Sequence, residues 1–124
     1  MLIGMSNKKV LIVESNDDIR KLLTMVFQNE GFNVQEATDA KTIDKYIKNF
    51  HPDIITVEPR DLVLSNPAFL NSIDDASKGS RIVAVTTYTQ QETRRLFYRQ
   101  NISGYIQKPF DLKNLRRIVK GCCF

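Results

Sequence analysis

Two hydrophobic periods alternate from end to end of the chain. Short apolar runs read as strands at Lys9–Val13, Phe32–Ala37, Ile54–Glu58, Arg81–Thr86 and Gly104–Gln107. Between them, apolar residues recur at the spacing that gathers them on one helical face. Ile19, Leu22, Leu23, Val26 and Phe27 define a first helix, stopped at Asn29-Glu30-Gly31. A second carries Ile43, Tyr46 and Ile47, with Thr38 as its cap. Asn66-Pro67 reads as a cap followed by proline in the first turn of a third helix, from Ala68 to about Ser77. Thr89-Gln90-Gln91-Glu92 is a capping box that opens a fourth, running to about Gln100. Asp111 caps a fifth, with Leu112, Leu115, Ile118 and Val119 inward.

Strict alternation of strand and helix predicts a parallel sheet covered by helices on both faces. In open sheets of this kind ligands bind beyond the carboxyl ends of the strands. Those ends carry Glu14-Ser15, Glu58, Thr86-Thr87 and Lys108-Pro109. Two acids, hydroxyls and one lysine therefore converge on one edge.

A chain of 124 residues is one domain by size. The pattern places it at residues 9–120, with 1–8 an N-terminal extension and 121–124 a C-terminal tail. No apolar stretch approaches the roughly 20 residues of a membrane span. Met1–Met5 is too short for a signal peptide's apolar region, so cytoplasm is the expectation. The only cysteines are the adjacent pair Cys122-Cys123, which bridge each other badly and read as reduced thiols. The net charge of +4 permits an acidic partner without requiring one.

Four stretches carry a family resemblance: KVLIVESNDDIRKLL, HPDIITVE, RIVAVTT and GYIQKPFDL. Over Lys9 to about Lys120 the chain resembles the receiver domain of two-component response regulators. The resemblance implies a flavodoxin-like, doubly wound (βα)5 fold, with a five-stranded parallel sheet of order 2-1-3-4-5. It implies a phosphorelay signalling role rather than an enzyme. Carried over by position, the metal-holding acid pair falls on Glu14 and Ser15, and the phosphoacceptor on Glu58. The switch hydroxyl is Thr86, the phosphate-contacting lysine Lys108 and the switch aromatic Tyr105. The Lys108–Pro109 bond is expected cis.

Three of these positions depart from the pattern. Ser15 removes one acid from the metal pocket. Glu14 and Glu58 each stand where the family has aspartate, and reach about 1.5 Å further. Magnesium wants tight oxygen geometry at roughly 2.0–2.1 Å, so its binding is expected weak or lost, with no other cofactor. In-line phosphoryl transfer depends on positioning and charge neutralisation. Thr87 adds bulk beside the site, and the loop after Glu58 reads Pro59-Arg60-Asp61-Leu62-Val63-Leu64. Arg60 is placed to fill the emptied pocket or pair with Glu14. The favoured expectation is a phosphorylation-independent receiver, with Glu58 a fixed charge, ion-paired to Lys108 and hydrogen-bonded by Thr86. The alternative is a working Mg²⁺-dependent phosphoacceptor that uses Glu58 or a nearby acid. Asp53 and Asp61 are the nearby acids, each expected in an exposed turn. Asp17 and Asp18 suit the first turn of the first helix, where the dipole favours negative charge. A flavodoxin-like small-molecule binder is a third class, but no glycine-rich phosphate loop follows the first strand.

Arg94, Arg95, Arg99, Lys113, Arg116, Arg117 and Lys120 crowd the last two helices, where only Glu92 and Asp111 supply acid. In the resembled family the fourth helix, fifth strand and fifth helix form the common partner face. A two-fold interface opposes a patch to itself, so this charge disfavours a homodimer there. It favours an acidic protein partner, such as a histidine kinase or an output protein. No recognition motif or stacking platform supports nucleic acid.

Overall fold

The computed structural model describes residues 8–64, 67–97 and 101–121. Met1–Met5, the Asn66 cap, Arg99 and the Cys122-Cys123 pair lie outside the described residues. The elements follow in the order β1 (Lys9–Val13), α1 (Asp17–Asn29), β2 (Asn33–Ala37), α2 (Ala40–Phe50), β3 (Ile54–Val57), α3 (Pro59–Leu64), α4 (Pro67–Ala76), β4 (Arg81–Thr86), α5 (Gln90–Leu96), β5 (Ile102–Gln107) and α6 (Leu112–Lys120). All strand pairs are parallel, in the sheet order β2-β1-β3-β4-β5.

Alternation along each strand divides the core in two. Leu11, Val13, Ile55 and Val57 face one layer with Ile43 of α2 and Ile73 and Ala76 of α4. Val10, Ile12, Ile54, Val83 and Val85 face the other, with Leu23, Val26 and Phe27 of α1 and Leu115 and Val119 of α6. The interiors of β1, β3 and β4 are apolar on both sides, Thr56 apart, because helices cover both faces. The register then fixes what stands beyond the sheet. Val13 lies opposite Val57, so Glu14 and Glu58 follow as neighbours at the carboxyl edge. Thr86 lies opposite Gln107, which brings Lys108 to the same edge. The Lys108–Pro109 bond is cis.

Local sequence explains most boundaries. Asn16 caps α1 by accepting the Ile19 N–H, and Asp17 and Asp18 occupy the first turn. Gly31 leaves α1 at a φ of 92°, which an L side chain rarely adopts. The Thr89–Glu92 capping box is present at α5. Four boundaries differ from the sequence pattern. α5 ends at Leu96, short of the expected Gln100, with Phe97 as its C-cap. α2 is capped by Asp39 rather than Thr38, its carboxylate accepting the Thr42 N–H at 2.8 Å. β5 begins at Ile102, two residues early, and β2 at Asn33, because Phe32 turns edge-on to Phe27 with ring centroids 5.2 Å apart. The loop expected after Glu58 is instead the short helix α3. Pro59 at its first position and Asp61 in its first turn are the signals for it.

Two stability changes follow. The Asp39→Ala variant should lose about 1 kcal/mol and Thr38→Ala much less, by urea denaturation. An equal loss for the two would return the cap to Thr38. Thr56 is 1% exposed and its hydroxyl lacks a hydrogen-bond partner. Two residues on from Ile54, it points to the same face of the sheet, the one covered by α1 and α6. Replacing it with valine should therefore raise stability by about 1 kcal/mol, and a loss instead would mean that the hydroxyl is satisfied.

Candidate functional site

The order β2-β1-β3 means that the chain leaves β1 toward one side of the sheet and continues through β3 toward the other. A crevice opens at such a reversal, beyond the carboxyl ends of β1 and β3. Glu14 and Glu58 line it. Both are buried, at 2% and 6% exposure. Two carboxylates so placed repel each other and have little water to screen them, so a counter-charge is required.

Lys108 supplies it. Its ammonium donates to Glu14 Oε1 and Glu58 Oε1, each at 2.9 Å, with the lysine side chain 10% exposed. The second oxygen of each glutamate accepts a backbone N–H two residues further on. Glu14 Oε2 takes that of Asn16 at 3.1 Å, and Glu58 Oε2 that of Arg60 at 3.2 Å. Each of the four oxygens thus accepts one hydrogen bond. Burial alone would lower the Lys108 pKa, but the hydrogen bonds and charges of Glu14 and Glu58 outweigh it, and the pKa is raised above the ordinary 10.5.

Arg20 supports the arrangement from α1. It donates to the Glu14 carbonyl at 3.0 Å and is itself held by Asp17 and Glu36. Sequence reading missed it, because a charged residue near the start of a helix normally reads as a solvated face. Asp61 also differs from expectation. It sits in the first turn of α3, and its carboxylate accepts from both the backbone N–H and the hydroxyl of Ser15, at 3.1 and 2.9 Å. An acid absent from position 15 thereby approaches that strand end from β3's side.

Other expected site residues divide. Arg60 does not pair with Glu14 or fill the pocket. It is exposed, with its guanidinium over the Tyr88 ring at 5.4 Å from the centroid. Thr86 is buried at the same edge, but its hydroxyl accepts the Tyr88 N–H at 3.1 Å. Among the described residues no hydrogen bond joins it to Glu58. Thr87 is exposed, and Tyr105 is half-buried on β5, opposite Ala84. Asp53 is remote from the crevice, at the amino end of β3, where it accepts the Lys9 N–H at 2.8 Å. His51 is exposed, ending α2 with a φ of 52°. Arg94, Arg95, Lys113, Arg116, Arg117 and Lys120 are all exposed. No helix among the described residues is long and apolar enough to cross a membrane.

Comparison with known proteins places this geometry. The sequence profile of the response regulator receiver domain matches residues 10–120. The chain is 27% identical over 112 residues to regulatory protein AtoC of Escherichia coli (strain K12), covering 90% of this chain and 24% of that protein. It therefore spans about a quarter of that relative's length. It is 26% identical over 120 residues to sporulation initiation phosphotransferase F of Bacillus subtilis (strain 168), covering 94% of each. Among solved structures, the chemotaxis response regulator CheY4 of Vibrio cholerae shares the fold with a TM-score of 0.71. That match has 21% identity and covers 91% of this chain and 96% of the other. A five-stranded parallel sheet in this order, acids and a lysine gathered at its carboxyl edge, and a profile match over nearly the whole length agree: the chain belongs to the response regulator receiver domain family of two-component signalling.

Proposed function

We propose that this receiver signals without accepting a phosphoryl group. On this reading Glu58 is a permanent charge at the phosphoacceptor position, and Glu14 and Ser15 are the altered acid pair. The observation that carries it is the Lys108 ammonium held by both glutamates at 2.9 Å. Oε1 of Glu58 faces that ammonium and Oε2 faces a backbone N–H, so neither oxygen is directed at an incoming phosphorus. A nucleophile engaged in this way is poorly placed for in-line attack.

The divalent metal that the family implies does not fit these residues. Ser15 replaces one acid, Asp61's carboxylate is turned onto that serine, and Lys108 bridges the two glutamates. Among the described residues, no group of three or more His, Cys, Asp or Glu side chains could hold a metal ion. Thr86 bonds within its own loop rather than to Glu58, which supports a fixed resting arrangement over full mimicry of a phosphorylated one. A carboxylate offers one charge and two oxygens where a phosphoryl group offers more of both.

The output on this reading is protein interaction. The exposed Arg94, Arg95 and Leu96 of α5, with the cations of α6, suit an acidic surface on a histidine kinase or output protein. The same single-sign charge favours a monomer over a two-fold dimer through that face.

Intact mass after incubation with a small phosphodonor, with and without Mg²⁺, tests the proposal. The wild type should stay unmodified, whereas the Ser15→Asp/Glu58→Asp double variant should gain a phosphoryl group in Mg²⁺. Labelling of the wild type would refute the proposal, and the labelled residue, Glu58 or Asp61, would identify a working acceptor.

The pairing itself predicts a pH dependence. Because the folded pKa of Lys108 is raised, the folded chain keeps a proton that the unfolded chain releases. The stability this contributes is complete below about pH 10 and is lost as pH rises through the folded value. Lys108→Met should be less stable at neutral pH by roughly 3–5 kcal/mol, since it leaves two buried carboxylates without a counter-charge. Its thermal-melting profile should lack part of the wild type's alkaline decline. Parallel declines in the two proteins would mean that the pair adds no net stability.

A further inference from the structure

The amino edge of the sheet, opposite the crevice of Glu14 and Glu58, carries a groove of about 600 Å³. That is the size of a small-molecule site, roughly 300–1,000 Å³. Four neighbouring strands open onto it: Lys8 precedes β1, Asp53 precedes β3, Arg81 begins β4 and Asn101 precedes β5. The turn between α4 and β4, residues 77–80, forms the remaining wall. Hydrogen bonds tie this frame together. The Asp53 N–H donates to the Lys9 carbonyl at 2.8 Å and the Arg81 N–H to the Asp53 carbonyl at 2.9 Å. The Asp53 carboxylate accepts the Lys9 N–H at 2.8 Å. A Cβ added at Gly79 would meet nothing within 4 Å, so the turn leaves open space there. A second groove of about 260 Å³ shares Asp53, Gly79 and Ser80 with the first.

We propose that this groove binds a small phosphorylated polyol, such as a sugar phosphate, at the edge of the sheet away from the signalling crevice. Charge selects the anion. Lys8, Lys78 and Arg81 bring three positive charges to the lining and Asp53 one negative, a net of +2. A phosphate monoester carries about −1.5 to −2 at pH 7, which matches that excess. Lys78 also faces Asp75, but at 3.8 Å and with both side chains almost four-fifths exposed, so that pair leaves the ammonium available. Hydroxyl groups select the rest of the ligand. The Ser77, Ser80 and Ser103 hydroxyls donate to the carbonyls of Asp74, Pro52 and Ile82, at 2.7, 2.7 and 3.2 Å. Their protons are committed, so each oxygen has only lone pairs to offer. A ligand that meets them must bring its own O–H donors, which the Asp53 carboxylate also accepts. A polyol ester supplies both the anion and the donors. Among the described residues no aromatic ring lines the groove, which argues against a nucleotide, whose base would want a stacking partner. The proposal stands whether or not Glu58 accepts a phosphoryl group.

Amide chemical shifts of the isotope-labelled full chain, titrated with glucose 6-phosphate and with ribose 5-phosphate, test this, with glucose, ribose and inorganic phosphate as controls. At least one ester should shift the Gly79, Ser80, Asn101 and Ser103 amides saturably. It should bind at least about tenfold more tightly than its parent sugar or inorganic phosphate. Gly79→Leu, which builds into the open space, and Arg81→Gln should each weaken that ester at least about tenfold and leave Tm unchanged. No saturable shift with either ester overturns the proposal. So do shifts confined to Glu14, Glu58 and Lys108, esters that bind no more tightly than inorganic phosphate, or full affinity in both variants. Phosphoryl labelling reads the carboxyl edge and these amide shifts read the amino edge, so either proposal can fail alone.

Discussion

Two carboxylates buried side by side at neighbouring strand ends must share a cation, and the rest of this site is arranged around that requirement. The Val13–Val57 register makes Glu14 and Glu58 neighbours whatever their side chains prefer. At a strand spacing of about 4.8 Å and an effective dielectric near 20, two such charges repel by on the order of 3 kcal/mol. Lys108 reverses the sign of that interaction. It reaches them from the fifth strand because the β4–β5 register brings that strand's end to the same edge. The pairing joins three strands that are separated by up to 94 residues in sequence.

The surrounding residues tie the loops of the site together. The Thr86 hydroxyl accepts the Tyr88 N–H within its own loop. The Arg60 guanidinium lies over the Tyr88 ring. These two contacts meet at one tyrosine and tie the β4–α5 loop to the start of α3. Asp61, brought forward by the same short helix, clasps Ser15 and so closes the β1–α1 loop against α3. Behind the site, Arg20 joins the Glu14 carbonyl to Asp17 and to Glu36 on the edge strand β2. The receiver thus holds its loops through internal contacts made by its own side chains.

Much of this was legible in advance. The alternation of apolar periods is enough to give five parallel strands with helices on both faces, since nothing else buries those runs. The strand-end residues Glu14, Glu58, Thr86 and Lys108 could be named because strand ends in such sheets are where polar groups collect. The pairing of Lys108 with Glu58 was also foreseen, since opposite charges at one edge attract. What could not be read was choice among competing partners. Thr86 and Arg60 each had a plausible acid nearby, and sequence offers no means of knowing that the one meets the Tyr88 N–H and the other the Tyr88 ring. Asp61 looked like a turn residue, because the helix that aims it is six residues long and too short to show a period. Arg20 gave no signal, since its acceptor is a backbone carbonyl, which every residue carries.

The sequence by itself determined the layers, the strand ends and the residue types that stand there: two glutamates, a serine, threonines and a lysine before a proline. These are local properties, set by periodicity and by residue type. Tertiary structure decided who bonds whom. That depends on register and on the depth of burial, which are fixed only when distant strand ends meet. Lys108 between two buried acids, Arg60 over Tyr88 and Asp61 on Ser15 are contacts between segments far apart in sequence, and they exist only in three dimensions.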